Sequence, residues 1–81
     1  MKTNKITVIE AEGGGISIKS GGNPCSSVEI YDISGRIFTS RKWVTPLVEA
    51  KLEKDDLPQG ICLIKVRHSD NSFSITKYVN P

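Results

Sequence analysis

Apolar residues in this chain recur at every second position in short runs, and clusters of Gly, Pro, Asn, Asp and Ser separate the runs. That is the period of a β-strand with one buried face, punctuated by turns. The densest example is Val28-Glu29-Ile30-Tyr31, followed by Asp32-Ile33-Ser34-Gly35 and then Arg36-Ile37-Phe38-Thr39. Asp32 can accept hydrogen bonds from the backbone of its own turn, and Gly35 can take a positive φ. The stretch therefore predicts a tight hairpin, a type I turn closed by a one-residue bulge.

The same pattern predicts strands over 6–9, 16–19, 27–33, 36–44, 47–53, 61–67 and 73–79. The β-branched run Ile6-Thr7-Val8-Ile9 reads as a first strand, possible at a sheet edge. Gly13-Gly14-Gly15 leads into Ile16-Ser17-Ile18-Lys19, a strand and not a helix, so the glycines predict a hairpin turn and not a phosphate cradle. Ser20-Gly21-Gly22-Asn23-Pro24 is a second turn region, with Cys25 expected in the loop beside Pro24. Pro46 is expected to break the chain. Beyond it Val48, Ala50 and Leu52 fall on one face of a fifth strand, a short helix being the competing reading because Ala, Lys, Leu and Glu are good helix formers. Ile61-Cys62-Leu63-Ile64 is apolar on both faces, which marks a central strand. In the last strand Phe73, Ile75 and Val79 share a side. Seven short strands without a convincing helix must cover one another, so the expected fold is all-β: a small seven-stranded antiparallel Ig-like β-sandwich, one domain over 1–81.

Length and charge narrow the function classes. Eighty-one residues bury only about 60–65% of the unfolded surface, which leaves marginal stability and no room for a deep cleft with a lid. Eleven basic and nine acidic residues, a net charge of +2, are interspersed as on an ordinary solvated surface and leave no nucleic-acid footprint. Arg41 and Lys42 beside Trp43 form one basic cluster without a stacking platform, so Trp43 is expected to cap the end of the core with the two cations in water. No apolar window reaches the roughly 18 residues of a membrane span, and the run 6–9 is too short for a signal peptide. The chain therefore reads either as cytoplasmic or as a piece of a longer protein, and the second is expected, with Met1 a start codon added to it.

Enzymatic and metal chemistry lack their parts. His68 is the only histidine. Cys62 lies six residues from it on the same predicted strand, a separation of roughly 20 Å, so the two can neither act as a catalytic pair nor share a zinc with Cys25 and Asp70. Asp55-Asp56 is expected to be a solvated turn, with weak surface calcium the alternative. Cys62 alternates with Ile64 and Val66 and is expected in the core as a free thiol, a bridge to Cys25 being the alternative. No cofactor is expected.

Two segments acquire meaning together. Val28-Glu29-Ile30-Tyr31-Asp32-Ile33-Ser34-Gly35-Arg36 is followed about twenty residues later by Leu57-Pro58-Gln59-Gly60-Ile61-Cys62-Leu63-Ile64-Lys65-Val66, with Asn23-Pro24 before and Thr76-Lys77 after. In this order the pair resembles the type A C-terminal sorting domain of the type IX (Por) secretion system of Bacteroidetes, over about 23–79. Asp32, Gly35 and Arg36 match the first hairpin motif of that family. Leu57, Pro58, Gly60, Lys65 and Val66 match the second, and Lys77 the last strand. Cys62 stands where the family usually has Tyr, and Tyr78-Val79-Asn80-Pro81 replaces its usual basic, β-branched finish.

The resemblance implies a non-enzymatic secretion signal. Such a domain follows its cargo domain in the native protein, folds in the periplasm in transit, and is recognised by the outer-membrane secretion translocon. A sortase-like peptidase then commonly removes it as the cargo reaches the cell surface or the extracellular medium. The alternative is a stand-alone secreted Ig-like adhesion or ligand-binding module.

Overall fold

The inward-facing residues of the predicted strands need a partner sheet, and the structure supplies it. A computed structural model describes residues 6–80. Among them seven strands follow in order: β1 (Thr7–Glu10), β2 (Ile16–Lys19), β3 (Cys25–Tyr31), β4 (Ile37–Leu47), β5 (Glu49–Leu52), β6 (Gly60–His68) and β7 (Phe73–Asn80), with one 3-10 turn at Lys54–Asp56. All pairings are antiparallel and form a three-stranded sheet β1-β2-β5 and a four-stranded sheet β4-β3-β6-β7. The two sheets form a small β-sandwich. Ile16, Ile18, Ala50 and Leu52 from the smaller sheet meet Val28, Ile30, Cys62, Ile64 and Val66 from the larger. Each fully buried aliphatic side chain of this kind contributes about 1.5–3 kcal/mol, and these residues are the main source of stability. Trp43 packs against the cluster from β4, as its predicted capping place requires.

β2 keeps its predicted ends and the other strand ends lie within three residues of those predicted, but several local expectations are overturned. β4 runs through Pro46 to Leu47. It is an edge strand of the four-stranded sheet, where a residue without an N–H costs no ladder bond, so Pro46 does not break it. The segment after it is a strand, not a helix, but Val48 lies outside it and is exposed, so only Ala50 and Leu52 face the core.

Cys25 is not in a loop. It opens β3, fully buried, with its thiol donating to the Leu47 carbonyl at 3.2 Å. Against β6 a register shift between Cys25 and Ser27 inserts Ser26, and the extra residue lets both Cys25 and Val28 point inward. Both cysteines are free. Cys25 pairs in register with His68, six residues along β6 from Cys62, which sets the two thiols roughly 20 Å apart and far beyond bridging reach.

The last strand turns outward the side on which Phe73, Ile75 and Val79 were expected together. Register with β6 sets Ser74 opposite Val66, Thr76 opposite Ile64 and Tyr78 opposite Cys62. Those β6 residues are buried, so Ser74, Thr76 and Tyr78 take the inner face, and Phe73, Ile75 and Val79 are exposed. A one-residue change of register reverses every side chain of a strand, and the more apolar β6 decides which face is inside.

Candidate recognition surfaces

The first motif builds a turn. Gly35 has φ +89°, its N–H donates to the Asp32 carbonyl at 3.0 Å, and Asp32 N–H donates to the Arg36 carbonyl at 2.9 Å. The Asp32 carboxylate accepts from Ser34 N–H at 2.9 Å, the Ser34 hydroxyl at 2.5 Å and Arg36 N–H at 3.1 Å. These bonds, the Ser34 hydroxyl first, hold its carboxyl below the ordinary value near 3.8. The predicted hairpin is therefore present, and it leaves Ile33 at its tip 82% exposed.

The second motif builds a corner. Leu57 and Pro58 are buried, Leu57 N–H donates to the Lys54 carbonyl, and Gly60 has φ +86° as the chain enters β6. Asp56 is more than the solvated carboxylate expected from the sequence. Its carboxylate takes Arg41 Nη2 at 2.6 Å and Glu53 N–H at 3.0 Å, and its carbonyl takes the Thr39 hydroxyl at 2.6 Å. Arg41 is thus paired with the 3-10 turn, although half its side chain meets solvent.

Both motifs lie at the same end of the four-stranded sheet. Tyr31, just before the hairpin turn, pairs with Leu63, and Gly60 pairs with Asn80 at the end of β7. Asn80 Nδ2 donates to the Pro58 carbonyl at 3.1 Å. A shallow groove of about 360 Å³ opens there between Phe38, Lys54, Leu57, Gln59 and Asn80. The nine motif residues have distinct structural positions. Leu57, Pro58 and Val66 are buried, Gly35 and Gly60 supply backbone conformation, and Asp32 ties its turn. Arg36, Lys65 and Lys77 reach solvent.

The opposite end is fastened by residues whose role no spacing rule reveals. His68 is fully buried, with Nδ1 2.7 Å from the Asn23 carbonyl and Nε2 2.7 Å from Ser74 Oγ. Asn23 is also fully buried and its Nδ2 donates to Asp70 Oδ2 at 3.2 Å and Ser72 Oγ at 3.3 Å, while Ser69 N–H donates to the Pro24 carbonyl. Asn23-Pro24 therefore binds the loop before β3 to the turn between β6 and β7. The sole histidine is a structural tie in that joint.

Sequence reasoning also missed the outer face of the four-stranded sheet, because it placed Phe73, Ile75 and Val79 on one side of the last strand without saying which side faces the core. That face carries Tyr31, Leu63, Phe73 and Ile75 among Lys42, Lys65, Arg67 and Lys77. Lys65 Nζ lies 4.5 Å and the Arg67 guanidinium 5.1 Å from the Phe73 ring centre, both cation–π distances. The Tyr31 hydroxyl donates to Glu29 Oε1 at 3.2 Å, and desolvation followed by that carboxylate raises the phenol pKa.

Burial pushes both thiols up from their ordinary value, and His68 and Cys62 sit at separate points of β6. Among the described residues no group of three or more His, Cys, Asp or Glu could hold a metal, and no helix is long and apolar enough to cross a membrane.

No protein-family model matches the chain, and no curated protein matches its sequence. Among solved structures the chain is similar to CopC from Methylosinus trichosporium OB3b, with 19% identity and a TM-score of 0.51, over 91% of this chain and 89% of that one. At that identity the likeness shows the fold alone.

Proposed function

We propose that this chain is a non-enzymatic C-terminal sorting domain, one that directs an attached cargo through a type IX outer-membrane translocon to the cell surface. The observation that supports this reading is the meeting of the two motifs: the Asp32–Arg36 turn, the Leu57–Gly60 corner and the end of β7 share one end of the larger sheet. Residues separated by more than twenty positions in sequence thus offer a single surface to a receptor. On this reading Arg36, Lys65 and Lys77 are the side chains available for recognition, and the other motif residues hold the end in shape. The domain passes through the periplasm in transit, and a sortase-like peptidase acts on it after the translocon.

The test is a fusion of residues 1–81 behind a signal peptide and a fluorescent cargo in a type IX-competent bacterium. Fluorescence on the surface or in the medium is the expected result. Cargo held in the periplasm with the domain intact overturns the proposal.

A second reading, a stand-alone adhesion or ligand-binding module, is favoured by the exposed apolar and cationic outer face of the larger sheet. Genomic context separates the two. A long enzyme or adhesin upstream in the same reading frame supports sorting, and a stop codon shortly before Met1 supports the module.

A further inference from the structure

The outer face of the four-stranded sheet is unlike the rest of the molecule in charge. Lys42, Lys65, Arg67 and Lys77 stand there against Glu29, four cations to one carboxylate, or a net +3. The whole chain carries +2, so everything else carries −1. Among the described residues none of these four cations is in an ion pair, even though Lys65 is directly opposite Glu29 in register. The ion pair seen among the described residues, Arg41–Asp56, is elsewhere.

The register resolves the face into two halves. Toward the hairpin end, Ile37, Tyr31, Leu63 and Lys77 lie in one row across the four strands. The next row is Ser40, Glu29, Lys65 and Ile75, and the third is Lys42, Ser27, Arg67 and Phe73. Between the first two rows is a recess of about 260 Å³ lined by Tyr31, Gly35, Leu63, Lys65 and Ile75, mostly apolar. Between the second and third is a recess of about 220 Å³ whose walls include Lys42, Lys65, Arg67 and Phe73 together with Glu29, three cations to one carboxylate. Lys65 is common to both. Successive rows are two residues apart along the strands, so the recess centres are about 6.7 Å apart.

That spacing and sequence of chemistries match one kind of occupant. In an extended peptide, side chains two positions apart project to the same side at the same separation of about 6.7 Å. We propose that this face binds an extended acidic protein segment that places an aliphatic side chain in the Tyr31–Leu63–Ile75 recess and a carboxylate two residues away between Lys42, Lys65 and Arg67. The Phe73 ring holds Lys65 and Arg67 at cation–π distance, so part of the cost of ordering these long side chains is met before the peptide arrives. Charge complementarity sets the sign of the partner, and the apolar recess sets its second feature. The inference holds for a cargo signal and for a stand-alone module alike, because the binding needs neither cargo nor translocon.

The test uses the isotope-labelled chain of residues 1–81 and two acetylated, amidated pentapeptides, Thr-Val-Thr-Glu-Thr and Thr-Glu-Thr-Val-Thr, since either chain direction satisfies the geometry. At low salt, at least one should produce saturable amide shifts centred on Leu63, Lys65, Arg67, Phe73 and Ile75, with a dissociation constant of millimolar order. Arg67→Glu, or Lys in place of Glu in the peptide, should weaken binding about tenfold or more, whereas Lys51→Glu on the smaller sheet should leave it unchanged. Replacing the peptide's Val by Ser should also weaken it, which separates a two-feature site from simple charge attraction. Absence of shifts, equal binding of the Lys peptide, or shifts centred elsewhere overturns the proposal. Success or failure of secretion has no bearing on this result.

Discussion

Asp32 and Gly35 share the work of one turn, and their contributions are separable. Gly35 supplies a backbone conformation with φ +89° and no atom within 4 Å of where a Cβ would be, so substitution there meets conformational strain and no clash. Gly35→Val should cost about 1–2 kcal/mol, because a β-branched residue resists the left-handed region. For a domain this size each kcal/mol lowers Tm by about 4–8 °C, which a thermal melt reads directly. Asp32 acts through charge and hydrogen bonding. Its folded-state pKa is depressed, first by the Ser34 hydroxyl, so its stabilisation is present above the unfolded-state pKa and is lost as pH falls through the folded value. Asp32→Asn should therefore be less stable than the wild type at neutral pH and converge on it in strong acid. Denaturant melts at both pH values check this, and a constant difference would show that the charge is not the cause. Cys62 poses a different residue-scale question. It is fully buried opposite Tyr78, so the bulk of a tyrosine already enters this part of the sandwich from β7. Cys62→Tyr should overpack the site and lose about 1–3 kcal/mol by denaturant melt, with part of the loss recovered when Tyr78→Ala is added.

At the scale of elements, two joints hold the ends of the sandwich. One is polar and buried, where Asn23 joins the loop before β3 to the turn at Asp70 and Ser72, and His68 lies beneath it. Removing a buried partner there leaves others to be desolvated without compensation, so Asn23→Ala should cost about 1–3 kcal/mol in a denaturant melt. The other joint, Arg41 to Asp56, is partly exposed, and Asp56 also serves the start of the 3-10 turn. Arg41→Ala should cost about 0–1 kcal/mol, less than Asn23→Ala, because solvent screens the ion pair. Strand existence was legible where strands alternate internally and turn formers separate them, as they do everywhere but between β4 and β5, where Val48 alone intervenes. The course of β4 through Pro46 was not, since a proline is tolerated or excluded according to whether its strand lies at an edge, and only the sheet order settles that. Nor was the place of Cys25, because Ser26 is a residue inserted relative to β6 that breaks the alternation on which the reading depends.

For the molecule as a whole, both thiols should be silent in the native state. Cys25 and Cys62 are fully buried and their pKa values are pushed up by burial, so neither is an accessible thiolate. A thiol-reactive chromophore should report two groups only as denaturant unfolds the domain, along the same transition as circular dichroism. Early reaction of either thiol would mean that its strand opens alone. The sandwich itself also explains why the molecule has two distinct surfaces to offer. Closing two sheets on each other uses one face of each, and the larger sheet's other face remains apolar and cationic.

The alternation of residues and the chemistry of the turns were enough to determine that there are seven strands and roughly where each lies, the hairpin at Asp32–Gly35 and the burial of Cys62, because these depend on neighbours within a few positions. Which face of β7 is inside was decided only by tertiary structure. Phe73, Ile75 and Val79 form the more apolar face of their own strand, but inwardness is set by register against β6, whose Cys62, Ile64 and Val66 take the core. A period of two says that a strand has two faces; the pairing with its neighbour chooses between them. That choice places the aromatic and cationic side chains of the larger sheet in solvent, where they form the surface a partner could read.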